Sequence, residues 1–298
     1  SDQGWVPNDE APAIELRREP AGRKGGAPSV DLVFNLISSR TTLDAPRTLV
    51  FAFQATPVKP LHKGWREDNW WCGDTFMDWQ FLGKHGGHQI WTNIPFTLEE
   101  EACREKVAAR HQQGGNAVPY LEWKTLSARF APEVAYFGDQ WQTSVSDGLC
   151  FEETLSDFLV YHAGTWAKSC GIDGFYLDNS RPQACANLDA GRGYRLPDGR
   201  VQPTYNVFAV RKLLLRLRAA FLEANGRSKF VLHTTNNFIA PWLGAADIGY
   251  DGEHHVIYPQ LGKDFMDYWD LTRMRLTLPA QWGVVVNFMH EYQGPWEH

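Results

Sequence analysis

The sequence lacks the patterns that would mark a zinc-binding or membrane-spanning chain. Its five cysteines include no C-x-x-C pair, which counts against a structural zinc site, and their odd number leaves at least one thiol unpaired. No apolar run approaches the length of a membrane span, and the N-terminus has no basic-then-apolar signal pattern. We therefore expect no membrane contact, while the missing signal pattern does not exclude export.

Positive charge is also scarce. The 298 residues include 29 Lys and Arg against 35 Asp and Glu, a formal net charge of −6, and no Lys/Arg stripe reverses that balance locally. This charge distribution argues against a nucleic-acid-binding surface. No glycine-rich loop follows the first predicted strand, which weakens a nucleotide-binding interpretation.

Metal-binding motifs are missing as well. The first predicted strand carries no H-x-H and no helix carries H-E-x-x-H. The adjacent His254 and His255 would point to opposite faces of an extended segment, so only one could reach a shared ion. We expect no metal and no other cofactor, and a metal-dependent hydrolase is the less favoured alternative.

What the sequence does contain is an alternation of strand-like and helix-like segments from Arg47 onward. Seven strands are predicted, within residues 48–57, 87–95, 116–123, 172–179, 229–237, 246–255 and 283–292. Helices are predicted within residues 97–115, 151–171, 206–226 and 264–278. Apolar strands that alternate with helices are typical of a parallel sheet covered by helices. The predicted fold class is therefore α/β, a (β/α)8 TIM-type barrel whose last unit is absent or irregular, with a doubly wound open sheet as the alternative.

Two parts of the chain are expected. Residues 1–46 read as a β segment, either the end of an upstream β-sandwich or a short extension, because "SVDLVFNLIS" alternates like a strand. Residues 47–298 read as the barrel. A missing eighth strand would leave open sheet edges, which we expect an irregular closing segment, a partner chain or residues beyond this sequence to cover.

Polar side chains follow nearly every predicted strand. In "GIDGFYLDNSRP", Asp178 comes directly after an apolar strand, the position where α/β barrels keep catalytic groups, although Asp-Asn-Ser is also good turn chemistry. Two carboxylates flanking a bond are the minimum for glycoside hydrolysis. We predict Asp178 and Glu253 as that pair, with Asp251 as the alternative to Glu253. Further groups expected to bind the sugar are Gln54, Glu122, Trp123, Arg181, His233, Asn236, His254, His290 and Glu291.

Four segments carry a resemblance: "FAFQATPVKP", "GIDGFYLDNSRP", "GYRLPDGRVQPTYN" and "ADIGYDGEHH". Together they resemble large bacterial glycoside hydrolase-like proteins, in which a β-sandwich precedes a catalytic barrel and which look distantly related to the exo-β-N-acetylgalactosaminidases. The resemblance runs from about Thr48 to Glu291, and it favours a secreted or periplasmic location.

A second resemblance concerns the catalytic groups. The α-galactosidase-like clan of retaining glycosidases uses an Asp after the fourth strand as nucleophile and an acid/base after the sixth, which would be Asp178 and either Glu253 or Asp251 here. The exo-β-N-acetylgalactosaminidases instead use an adjacent Asp-Glu pair, and this chain has Asp178-Asn179 at that place.

The function predicted from the sequence is therefore a retaining glycoside hydrolase that cleaves a glycosidic bond with two carboxylates and no cofactor. A long loop, Ser180 to Pro203, follows Asp178, and four arginines lie in it: Arg181, Arg192, Arg195 and Arg200. They fit either a solvated loop or a clamp for a carboxylate or sulfate on the sugar, Arg181 above all. The expected substrates include anionic and amino sugars. Thirteen Trp residues fit both a core role and stacking on sugar rings. A non-catalytic carbohydrate-binding barrel is the main alternative.

Overall fold

The computed structural model describes residues 12–19, 28–37, 46, 51–61, 63, 65–66, 84–85, 88–89, 93–146, 148–196, 198–234, 238–252, 271–277 and 282–288. The chain divides into two compact units, whose boundary falls between Ala52 and Phe53. In the first unit, β1 (Ile14–Glu19) pairs antiparallel with β2 (Ser29–Phe34), from Ile14↔Phe34 to Glu19↔Ser29. The strand predicted from the alternation in "SVDLVFNLIS" is thus confirmed.

The second unit holds the remaining elements. In chain order they are β3 (Lys84–His85), β4 (His88–Gln89), α1 (Glu100–Gln112), β5 (Tyr120–Leu121), α2 (Pro132–Tyr136), α3 (Gly138–Trp141), α4 (Glu153–Cys170), β6 (Gly174–Leu177), β7 (Ala184–Cys185), β8 (Tyr194–Arg195), β9 (Val201–Gln202), β10 (Thr204–Tyr205), α5 (Val207–Asn225), β11 (Lys229–His233), α6 (Ala240–Leu243), β12 (Ile248–Asp251), α7 (Leu271–Thr277) and β13 (Val285–Phe288). None of the helices in the described ranges is long and apolar enough to cross a membrane.

A five-stranded parallel sheet organises this unit. Its strands lie in the order β5-β6-β11-β12-β13, which is also their order along the chain, and all four pairings are parallel. The protein is therefore a mixed α/β protein. These five strands correspond to the third to seventh strands predicted from the sequence.

The long helices have clear sequence causes. In α4 the side chain of Glu152 accepts a hydrogen bond from the Leu155 amide at 2.5 Å, which caps the amino end. Both α4 and α5 end at a glycine in the left-handed region, Gly171 with φ 79° and Gly226 with φ 73°. Glycine adopts this conformation without a Cβ clash, so the helix ends predicted there are confirmed.

The two faces of the sheet carry separate cores. One face contributes Leu121, Phe175, Leu177, Phe230 and Leu232, which pack with buried residues of α1, α4 and α5. The other face contributes Tyr120, Tyr176, Val231, Ile248 and Tyr250. This alternation follows the two-residue period of a strand and decides on which face each residue at a strand end lies.

The segment between β6 and α5 is tied to the rest of the unit. Within it β7 pairs with β10 and β8 with β9, both antiparallel. Cys185 of β7 forms a disulfide with Cys150, 35 residues earlier, while Cys103 and Cys170 are buried free thiols. The long loop expected here therefore contains two short ladders and a covalent anchor.

The described part of the predicted first strand differs from expectation. Residues 51–57 form no strand and are exposed. Beyond them, Lys59 forms an ion pair with Asp247 (3.4 Å) at the amino end of β12. Of the second predicted strand, within residues 87–95, the described residues are 88–89, which form β4 and pair antiparallel with β3, and 93–95, which form no strand. Apolar alternation predicted strands here, but it does not specify which neighbour would supply the backbone pairing.

Candidate active site

Two carboxylates meet at the carboxyl edge of the sheet because of the register between β5 and β6. The strands pair Tyr120↔Tyr176 and Leu121↔Leu177, so the next residues in register are Glu122 and Asp178. The backbone amide of Asp178 donates to the carbonyl of Leu121 at 3.0 Å, which continues the pairing past the strand end. By alternation both carboxylates lie on the face of Tyr120 and Tyr176.

Asn179 links the two carboxylates. Its side-chain amide nitrogen lies 2.5 Å from Oε2 of Glu122 and 3.4 Å from Oδ2 of Asp178. Its backbone amide also donates to Oδ1 of Asp178 at 2.7 Å. The residue has a φ of 51°, in the left-handed region that Asn tolerates better than most residues. One strained residue thus places an amide donor between two like charges.

Asp178 is surrounded by further donors. The Tyr120 hydroxyl donates to Oδ2, and Nδ1 of His233 lies 2.8 Å from Oδ1. The Tyr176 hydroxyl lies 2.7 Å from the same histidine nitrogen, and His233 is 3% exposed. Burial alone would raise the pKa of Asp178, but the hydrogen bond and charge of His233, with the Tyr120 hydroxyl and the Asn179 amide, outweigh it and lower the pKa. Asp178 is therefore held as a carboxylate.

The pKa of Glu122 is shifted in the opposite direction, upward. Burial raises its pKa, and the negative charge of Asp178 adds to that effect. Hydrogen bonds from the Asn179 side chain and from the Lys124 amide (3.1 Å), together with the Lys124 charge, offset only part of it. Neighbouring carboxyl groups whose environments separate their pKa values in this way are typical of acid/base sites.

A surface pocket of about 660 Å³ lies beside this pair. Its wall includes Glu122, Asn179, Lys124, Arg181 and the half-exposed Tyr205. Lys124 is 5% exposed, and its ammonium donates to the Arg181 carbonyl at 2.6 Å. Burial, followed by the charge of Arg181, lowers the pKa of Lys124 to about 7, against the opposing effect of the two carboxylates.

Some expected site residues are not brought together with Asp178. Trp123 is fully buried on the helix-covered face, where it packs on Phe151 at 4.6 Å between ring centroids. Gln54 is exposed, and its side chain donates to the neighbouring Ala55 carbonyl. Asp251 is buried, and by alternation it lies on the opposite face of β12 from Tyr250.

The other residues expected at the site divide into those that the structure places near Asp178 and those outside the described residues. Glu122, Arg181 and His233 lie in or beside the site as described above. The remaining expected residues lie outside the described residues and stay predictions: Glu253, Asn236, His254, His290 and Glu291. Sequence reasoning did not select Tyr120, Asn179 or Lys124, although Tyr120 and Lys124 lie two residues on either side of Glu122 and so share its alternation.

Charged clusters at the opposite, amino edge of the sheet have a structural role. Asp173 is fully buried and binds Nε2 of His111 (2.8 Å), Nε of Arg227 (2.9 Å) and the Ala117 amide (2.7 Å). Asp247 similarly accepts from the Phe230 amide at 2.9 Å. Among the described residues no group of three or more His, Cys, Asp or Glu is arranged to hold a metal ion.

Comparison with known proteins adds no assignment. A scan against protein-family models finds no match for this chain, and a search of curated proteins finds none either.

Proposed function

We propose that the protein is a glycoside hydrolase whose parallel sheet belongs to a (β/α)8-type barrel. Five strands in strict chain order support this architecture, because a doubly wound sheet reverses its strand order at a switch point. Helices cover one face, while tyrosines and aliphatic residues pack on the other, as in the filled interior of a barrel.

The observation that carries the proposal is the Glu122–Asp178 pair. One amide nitrogen contacts an oxygen of each residue, so these two oxygens lie close enough for both groups to contact a single sugar. In retaining glycosidases the carboxyl groups are about 5–5.5 Å apart, and inverting enzymes need a wider gap of roughly 6.5–9.5 Å to admit a water. The two contacts favour the narrower class.

Each carboxyl group then has a role. Asp178, held ionised by its donors, is the nucleophile that attacks the anomeric carbon. Glu122, with its raised pKa, is the general acid that protonates the departing oxygen and afterwards takes a proton from the attacking water. Glu253 remains the alternative acid predicted from the sequence.

A panel of aryl α- and β-glycosides, neutral and uronic, tests this proposal. Asp178→Asn and Glu122→Gln should each lower kcat at least a hundredfold on the substrate that the wild type cleaves, and Glu253→Gln separates the two candidate acids. Asp198→Asn is the matched control, because this half-exposed carboxylate pairs with nearby Arg200 in the described part of the chain.

Three results would decide against parts of this scheme. Activity that survives Asp178→Asn would remove the nucleophile assignment. Loss of activity on chelation would favour a metal-dependent hydrolase. Sugar binding by the wild type without turnover of any substrate, unchanged by the substitutions, would favour the non-catalytic carbohydrate-binding protein.

A further inference from the structure

Two cations line the pocket beside the carboxylate pair. Lys124 and Arg181 take part in no ion pair with a carboxylate among the described residues, although Glu122 belongs to the same pocket wall. The lysine ammonium donates to the Arg181 carbonyl at 2.6 Å. The hydrogen bond between Lys124 and Glu122 runs from the backbone amide of Lys124 to Oε1 of Glu122 at 3.1 Å.

Burial of Lys124 is costly when none of the described carboxylates forms an ion pair with it. A buried ammonium loses its hydration, and such groups are normally paired or neutral. The Arg181 carbonyl accepts from one of the three N–H donors of the Lys124 ammonium. The remaining donor capacity lies in a pocket wall that also carries the exposed guanidinium of Arg181, which can bind planar oxyanions in a bidentate manner.

We propose that Lys124 and Arg181 form a subsite for an anionic substituent, a carboxylate or a sulfate, on the sugar bound by Glu122 and Asp178. The identity of the ligand as a sugar rests on the proposed function, whereas the preference for an anion rests on the two cations alone. Tyr205 offers an aromatic face in the same pocket for the sugar ring.

Anion binding at this subsite is coupled to a proton. Lys124 faces Arg181, Glu122 and Asp178, and in the free protein its pKa is about 7. An anion stabilises the charged form, so binding raises this pKa and takes up a proton at pH 8, where the free lysine is mainly neutral. Affinity for the anion consequently falls as the pH rises above about 7.

Calorimetric titration at pH 8 tests the subsite without turnover. Glucuronic acid, glucose 6-sulfate and glucose are titrated in two buffers that differ in ionisation enthalpy. At least one of the two anionic sugars should bind tenfold or more tightly than glucose, with uptake approaching one proton per site. Comparison of the two anionic sugars distinguishes a carboxylate subsite from a sulfate subsite.

Substitutions assign the effect to the two cations. Lys124→Met should remove both the preference for the anionic sugar and the proton uptake. Arg181→Gln should weaken the preference for the anionic sugar and retain part of the proton uptake. Arg200→Gln is the matched control, because this exposed arginine of the same loop already pairs with Asp198 and should leave binding unchanged.

Equal binding of glucose and both anionic sugars, no binding of any of them, or unaltered anion binding by Lys124→Met would overturn the subsite. Anion binding without hydrolysis of any glycoside would leave the subsite standing and reject the proposed function. Hydrolysis of neutral glycosides with no preference for anionic sugars would support the proposed function and reject the subsite.

Discussion

Replacement of Lys124 by methionine should make the free protein more stable, even though the substitution damages a proposed binding site. Methionine has a similar length and no charge to desolvate. The penalty that it removes is the one that lowers the lysine pKa from 10.5 to about 7. A surface lysine carries no such penalty.

The size and the sign of the effect follow from proton linkage. The full pKa shift corresponds to about 5 kcal/mol. Loss of the hydrogen bond to the Arg181 carbonyl costs about 1 kcal/mol. We therefore expect Lys124→Met to raise the free energy of unfolding by about 2–4 kcal/mol at pH 6.5. Between pH 7 and 10.5 the unfolded chain keeps the lysine proton and the folded protein loses it. Wild-type stability therefore rises with pH relative to the variant, by roughly 3 kcal/mol over two pH units.

Urea unfolding of both proteins at pH 6.5, 7.5 and 9 measures this difference. The titrating groups that do not interact with Lys124 are common to the two proteins, so their contributions cancel. Lys212→Met is the matched control: its side chain is 65% exposed and pairs with Glu153 on the surface, so the change should be within about 1 kcal/mol at each pH. A Lys124→Met difference that does not change with pH would refute a lowered lysine pKa.

Two other substitutions test the two edges of the sheet. Asp173→Asn breaks the buried contacts with His111 and Arg227 and should lower the free energy of unfolding by about 3–5 kcal/mol in urea titrations, while the folded fraction keeps its sugar affinity. Unchanged stability would contradict the structural role of that cluster. Tyr120→Phe removes a hydrogen-bond donor from Asp178 and should raise the pKa of this carboxyl group. The acid limb of the pH–activity profile should therefore move to higher pH. An unmoved limb would show that the Tyr120 hydroxyl does not stabilise the Asp178 carboxylate.

The sequence predicted the elements whose period is strong. α4 and α5 lie within the segments predicted as helices, and both end at the glycines that a helix stop requires. The strands within 116–123, 172–179, 229–237, 246–255 and 283–292 were also found, in parallel and in chain order. Short buried strands between long amphipathic helices leave few alternatives to a parallel sheet.

The segment 48–57 was harder to interpret for a physical reason. An apolar alternating run indicates that a strand is feasible, but a strand also needs backbone partners, which periodicity does not specify. In the described part, the contacts of Lys59 lie at the amino edge of the sheet, far along the strands from Asp178. Gln54 lies in the exposed segment before Lys59, where its side chain donates to the Ala55 carbonyl.

The candidate site was predicted only in part, because its chemistry depends on register. Asp178 was recognisable as the residue after an apolar strand. The proximity of Glu122 follows from the pairing of Tyr120 with Tyr176, which no local pattern determines. The bridging position of Asn179 further requires a positive φ, for which the Asp-Asn dipeptide is only a weak signal.

Strand register also explains why the neighbouring charges are arranged as they are. It places Glu122 and Asp178 side by side, and two like charges there can be relieved by donors, by a proton or by a cation. Donors serve Asp178, and the raised pKa of Glu122 favours a proton on that group. If the Lys124 ammonium contacted Glu122 directly, it would favour the ionised form and remove the acid.

The ammonium instead donates to the Arg181 carbonyl, and its positive charge offsets only part of the rise in the Glu122 pKa. This arrangement thus leaves Glu122 able to hold a proton and leaves a cation available for a substrate anion. An acid that must stay protonated and a cation that must stay unpaired are compatible in one pocket only when the two groups do not bind each other.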